Sequence, residues 1–189
     1  MKKIVILGGG AGGTMLANKL ARTSEGEDLS ITVVDNNNEH YYQPGFLFIP
    51  FGIYTKHMVV KPRREYIPMG VQFIMAKAEK IEPENKRVIL EGNVKLDYDI
   101  LVIATGTRIA PEEVEGLTGP GWQKNVFDFY TPEGALKLAG FLKYWKGGRL
   151  VLNIAEMPIK CPVAPLEFIF LADWWFTQQG IRDKVELIL

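Results

Sequence analysis

The stretch KKIVILGGGAGGTMLANKL, Lys2 to Leu20, constrains the fold more than any other part of the chain. An apolar β-type run, Ile4 to Leu7, meets a glycine cluster, and an Ala/Leu-rich segment with helical spacing follows at once. Gly8, Gly10 and Gly13 fit the G-x-G-x-x-G fingerprint, with Ala11 and Gly12 completing the loop. The first glycine permits the tight strand-to-helix turn, the second lets backbone approach a pyrophosphate, and the third lets helix and strand pack closely. Phosphates would then rest on the free N–H groups and positive dipole end of the helix.

A second β run, Leu29 to Val34, ends in Asp35. A carboxylate at that strand tip, about 20 residues beyond the glycines, can accept hydrogen bonds from ribose hydroxyls. The pattern therefore predicts a dinucleotide-binding βαβ unit with parallel strands at 3–7 and 30–34 and a crossover helix at 11–23. It leaves open whether the ligand is FAD or NAD(P). A polar turn is expected from Thr23 to Asp28.

Composition narrows the function classes. At 189 residues the chain has room for one good core, or one domain and part of another. Its 22 basic and 22 acidic residues balance, so nothing in the charge points to nucleic acid. Its 47% apolar content suits a globular protein, and no apolar run is long enough to span a membrane. The single cysteine excludes an internal disulfide and, with strand residues starting at once and no signal pattern before them, suggests the cytoplasm. No metal-ligand spacing is present, and His40 and His57 have no partner pattern, which suits solvated or core-edge histidines.

After Asp35 the segment DNNNEHYYQPGFLFIPFGIYTKHMVV fits neither helical nor strand period, and Pro44, Gly45, Pro50 and Gly52 interrupt it. Its aromatic load suits either a buried cover for one end of the sheet or a wall around a planar ligand. A strand is expected at Val71 to Met75, then a hairpin through Pro83, Glu84 and Asn85 returning at Arg87 to Leu90. Asp99 to Ile103 reads as a buried parallel strand ending in Ala104, Thr105, Gly106 and Thr107, small residues at the crevice edge of such a sheet.

Residues 107–125, rich in Gly and Pro, read as a connection, giving a first domain at 1–110 and the start of a second at 111–189. Thr131 and Pro132 open a helix as N-cap and N1. A buried strand at Arg149 to Ile154, a helix at about Pro162 to Gln178 and a strand at Val185 to Leu189 make a second βαβ unit. Ending on that strand reads as a truncated chain. The fold class expected is thus α/β, a Rossmann-like parallel sheet plus the beginning of a second βαβ domain.

The second unit carries NIAEMPIKCPVAPLEFIF where a second nucleotide site would need glycines. Cys161 stands there instead, just before a helix and beside Lys160, a setting that favours the thiolate. Lone cysteines are more often small structural hydrophobes, and that reading stands beside the reactive one. Glu167, in an otherwise apolar helix, is either surface-facing or a desolvated acid.

GGGAGG with Asp35, HYYQPGF, YDILVIATGT and MPIKCPVAP together resemble sulfide:quinone oxidoreductases, two-dinucleotide-binding-domain flavoproteins related to type II NADH dehydrogenases. The resemblance covers essentially this whole chain and the first half of such a protein. It implies FAD, with its pyrophosphate on Gly8 to Gly13, its ribose on Asp35, its adenine near Lys77 and Ala78, Thr105 and Gly106 lining the crevice, and Pro44 and Gly45 approaching the isoalloxazine. Cys161 would be one of a redox cysteine pair attacked by sulfide, Glu167 would handle protons, and a quinone would take the electrons at the membrane surface, where the intact protein would sit peripherally. A homo-oligomer is compatible with the family. Many members have another cysteine where this chain has Tyr130, which implies non-covalent FAD. The readings set against this one are a type II NADH:quinone dehydrogenase-like flavoprotein and a non-catalytic dinucleotide-binding module.

Overall fold

The structure, a computed structural model, describes residues 1–23 and 28–189. In chain order the elements are β1 (Lys2–Leu7), α1 (Ala11–Thr23), β2 (Leu29–Asp35), β3 (Glu39–Tyr41), α2 (Lys56–Val59), β4 (Val60–Pro62), β5 (Gln72–Met75), β6 (Ala78–Glu82), β7 (Arg87–Leu90) and β8 (Val94–Asp97). Then follow β9 (Ile100–Ile103), α3 (Pro132–Leu142), β10 (Gly148–Val151), α4 (Ala164–Gln178) and β11 (Val185–Ile188). The polar turn expected at 23–28 falls largely on residues 24–27, outside the described residues.

The chain divides into two compact units, one of residues 1–42 and 60–108, the other of 43–59 and 109–189. In the first, a four-stranded sheet runs in the order β5-β2-β1-β9, and every neighbouring pair is parallel. Chain reversal between β1 and β2 needs a crossover, which α1 supplies. Ile4, Ile6, Ala17, Ile31, Val33 and Phe73 form the core between α1 and one sheet face. Val5, Leu7, Val34, Val88 and Leu90 fill the opposite face, the last two from an antiparallel sheet β6-β7-β8. Both faces of β1 are therefore buried, and its residues read as a continuous apolar run.

The strand expected at 71–75 is present, but as the outer member of the main sheet. The arm paired with Arg87–Leu90 is β6, a separate strand whose exposed, charged residues gave it little apolar signal. β9 is not the buried strand its apolar run predicts. It lies at the sheet edge with β1 as its partner, and Ile103 is 63% exposed.

In the second unit β10 and β11 pair in parallel, with α4 between them in the chain. α3 opens as expected, the Thr131 hydroxyl accepting from the Gly134 N–H at 3.0 Å, with Pro in its first turn. α4 buries Ala164, Phe168, Ala172 and Phe176, one turn apart, in a core shared with Leu47, Phe51, Phe129, Leu138 and Leu142. Leu47 and Phe51 explain why residues 43–59 belong to this unit: their side chains are part of its core. The other side of α4 leaves Leu166, Phe170 and Trp174 exposed. β10 is shorter than the strand read at 149–154 and is not buried, Val151 being 57% exposed. No helix among the described residues is long and apolar enough to cross a membrane.

Candidate functional site

The glycine turn is built as its spacing predicts. The Gly8 N–H donates to the Val34 carbonyl at 2.8 Å, and Ala104 N–H to the Leu7 carbonyl at 2.7 Å. A Cβ at Gly8 would lie 2.3 Å from the Ala104 carbonyl oxygen, and its φ of +97° is one that L side chains rarely adopt. A Cβ at Gly13 would lie 1.8 Å from the Gly8 carbonyl oxygen, so helix and turn are in contact there. Gly10 differs: a Cβ there would meet nothing within 4 Å, so its lack of a side chain answers no contact inside the protein. That is the position at which a pyrophosphate needs bare backbone.

Asp35 is tied directly to this turn. Its Oδ2 accepts the Gly9 N–H at 2.7 Å, and its Oδ1 accepts the Asn37 N–H at 2.9 Å. Parallel pairing sets Asp35 beside Met75, and the Asp35 carbonyl accepts from Ala76 N–H at 3.0 Å, which brings Lys77 and Ala78 to the same sheet edge. Thr105 and Gly106 follow β9 at that edge, and both are exposed. The fold thus gathers Gly8, Gly10, Ala11, Gly12, Gly13, Asp35, Lys77, Ala78, Thr105 and Gly106 at the C-terminal end of the parallel strands, where ligands of open α/β sheets bind. Glycines that hold the turn, an unobstructed Gly10 and a strand-tip carboxylate fit a dinucleotide.

Two further residues contact this turn: Arg63, to which sequence reasoning gave no role, and His40, which it read as a solvated or core-edge histidine. Arg63 is 3% exposed, with Nη1 3.3 Å from Asp35 Oδ2, and a Cβ at Gly9 would lie 2.8 Å from its Cδ. Burial pulls its guanidinium below the ordinary value, an effect that the charge of Asp35 partly offsets. His40 Nδ1 lies 3.2 Å from the Gly9 carbonyl oxygen while its ring stacks on Tyr66 at 4.2 Å. Both lie between β2 and β5, His40 within β3 and Arg63 just after β4.

The remaining candidates lie in the second unit. Pro44 and Gly45 belong to a 3-10 turn, Gln43–Phe48, with Gly45 buried and Pro44 exposed. Lys160 Nζ donates to Gln43 Oε1, which joins this turn to the residue before Cys161. Cys161 is exposed and free, with φ of +53°, an uncommon backbone state for a non-glycine residue and one that gathers at functional positions. Its carbonyl accepts from the Tyr130 hydroxyl at 3.3 Å and from the Ala164 N–H at 3.0 Å. α4 begins at Ala164 rather than Pro162, and Pro165 has no N–H, so Cys161 stands farther from a poorer helix end than the sequence suggested. Glu167 is exposed, which decides its two readings for the surface. Tyr130 is pushed above its ordinary value, first by burial and then by repulsion from Cys161 and Glu167, which places the three groups in one electrostatic neighbourhood. No cluster able to hold a metal ion occurs among the described residues.

Known proteins match this arrangement. The profile of the pyridine nucleotide-disulphide oxidoreductase family matches residues 2–140. The mitochondrial sulfide:quinone oxidoreductase of Dictyostelium discoideum is 31% identical over 186 residues, covering 98% of this chain and 41% of that protein. A type II NADH:quinone oxidoreductase of Staphylococcus aureus is 28% identical over 65% of the chain. The X-ray structure of the sulfide:quinone oxidoreductase from Aquifex aeolicus superposes with a TM-score of 0.79 and 28% identity, covering 98% of this chain and 42% of that one. The chain therefore spans about two fifths of the length of these sulfide:quinone oxidoreductases. With the fingerprint turn, the parallel sheet and the family profile in agreement, the chain belongs to the pyridine nucleotide-disulphide oxidoreductase family.

Proposed function

We propose that the chain is part of an FAD-dependent sulfide:quinone oxidoreductase, contributing its FAD-binding unit and the unit that carries one redox cysteine. The carrying observation is Cys161, exposed at positive φ where a second nucleotide site would need a glycine turn. Gly8 to Gly13 would hold the FAD pyrophosphate, Asp35 the ribose, and Lys77 and Ala78 the adenine. Thr105 and Gly106 would line the crevice, and Pro44 and Gly45 would face the isoalloxazine. FAD would supply the two-electron step between the cysteines and a quinone.

Cys161 would share a disulfide with a cysteine contributed by the longer protein, since this chain has one. Hydrosulfide would attack one sulfur, forming a persulfide S–S bond as the disulfide S–S bond breaks and the other sulfur leaves as thiolate with the electron pair. Glu167, near Tyr130 and Cys161, would take the hydrosulfide proton. Tyr130 cannot form a thioether, so FAD would be held non-covalently. A membrane-dissolved quinone would place the longer protein peripherally on a membrane.

Sulfide is favoured over NADH as donor by the glycine-free NIAEMPIKCPVAP and by the wider match to sulfide:quinone oxidoreductases, 98% of the chain against 65%. The test is anaerobic mixing of the FAD-loaded, full-length protein with sulfide or with NADH. Rapid bleaching of the oxidised flavin by sulfide, lost in Cys161→Ser, is the expected result. Bleaching by NADH alone would overturn it.

A further inference from the structure

Among the described residues of the first unit Arg63 is the most completely buried charged side chain, yet it neighbours no strand of the main sheet in sequence. Its backbone N–H donates to the Asn38 carbonyl at 2.6 Å, its Nε to the Asn37 carbonyl at 2.7 Å and its Nη2 to the Glu39 carbonyl at 2.7 Å. These bonds fix the backbone just after Asp35. The third guanidinium nitrogen, Nη1, is buried, makes no hydrogen bond of good geometry and faces Asp35 Oδ2 at 3.3 Å. The same Oδ2 accepts the Gly9 N–H. The side chain also fills the space a Cβ at Gly9 would need, which explains a glycine at a position the fingerprint leaves free.

We propose that Arg63 is a positioning residue of the dinucleotide site, clamping the Asp35 carboxylate against the Gly9 N–H so that the ribose acceptor is set before ligand arrives. The inference rests on reading the Gly8 to Gly13 turn as an FAD site. Arginine suits the task because its planar, permanently charged fork spans two backbone carbonyls, of Asn37 and Glu39, and one carboxylate. Lysine, a single rotatable point charge, cannot hold all of them at once.

Arg63→Met, Arg63→Lys, Asp35→Asn and the Arg63→Met/Asp35→Asn pair test this in the full 189-residue chain. Two readouts are taken: amide hydrogen exchange without ligand, and FAD affinity by flavin fluorescence. Gly9 N–H exchange should quicken by about tenfold or more in Arg63→Met, while Gly8 N–H, bonded to Val34, stays protected. FAD should bind at least about tenfold more weakly to Arg63→Met and to Asp35→Asn, and the double variant should be no worse than the weaker single. Arg63→Lys should fall between wild type and Arg63→Met; it carries the test if Arg63→Met does not fold. Unchanged Gly9 exchange in the folded Arg63 variants, wild-type affinity in Arg63→Lys, or losses that multiply in the double variant would each overturn the inference while leaving the FAD reading standing. A wild-type chain that binds no FAD would overturn both.

Discussion

Gly9 donates its backbone N–H to Asp35 Oδ2 at 2.7 Å, so the turn after β1 and the end of β2 form one hydrogen-bonded unit. The glycines around it do different work, and substitution separates the roles.

Gly13→Ala would drive a methyl group to 1.8 Å from the Gly8 carbonyl oxygen, a backbone atom that no side-chain rotation can move aside. It should cost about 2 to 4 kcal/mol of stability, measured by urea unfolding. Gly10→Ala meets nothing within 4 Å and should stay within about 0.5 kcal/mol of wild type. It should nonetheless weaken FAD binding, because the new methyl group occupies the pyrophosphate's approach. Equal stability losses in the two variants would contradict this division.

Tyr130 gives a pH signature. Its folded phenol titrates above the ordinary value of 10.0, so above that pH the folded state holds more protons than the unfolded state. The Tyr130 contribution is therefore intact below pH 10.0 and falls as pH rises through the raised value. The urea midpoint of wild type should drop more steeply on the alkaline side than that of Tyr130→Phe. At neutral pH the variant loses a 3.3 Å bond to an accessible carbonyl, worth about 1 kcal/mol or less. Matching alkaline slopes would show that the phenol is not perturbed.

Along α4, Phe176 is 0% exposed and packs against Trp145 and Trp175 at 5.3 Å each, whereas Glu167 faces solvent. Phe176→Ala should cost about 3 to 5 kcal/mol, and Glu167→Gln less than about 0.5 kcal/mol. A large loss in Glu167→Gln would return that carboxylate to a buried role.

Much of the first unit was legible because its signals are local. The apolar run of β1, the glycine turn and the helical spacing of α1 sit side by side in the chain, and Asp35 ends the next strand. What escaped depends on contacts between distant residues. Arg63 reaches Asp35 across an aperiodic connection, and nothing in a basic pair distinguishes a clamp from a solvated face. The apolar runs of β9 and β10 gave their strand character but not their burial, because pattern does not say how many neighbours a strand has. The side assignment of Glu167 also needed the helix phase, which an all-round apolar sequence conceals.

The most direct test of the central claim is an equilibrium titration of the chain with FAD, NADH and NADPH in parallel, each followed by its own fluorescence. FAD should bind one per chain, with affinity lost in Asp35→Asn and Gly10→Ala, while neither nicotinamide cofactor competes with it. Tight NADH or NADPH binding that displaces FAD, or FAD binding that ignores both substitutions, would contradict the claim that the glycine turn and Asp35 form an FAD site.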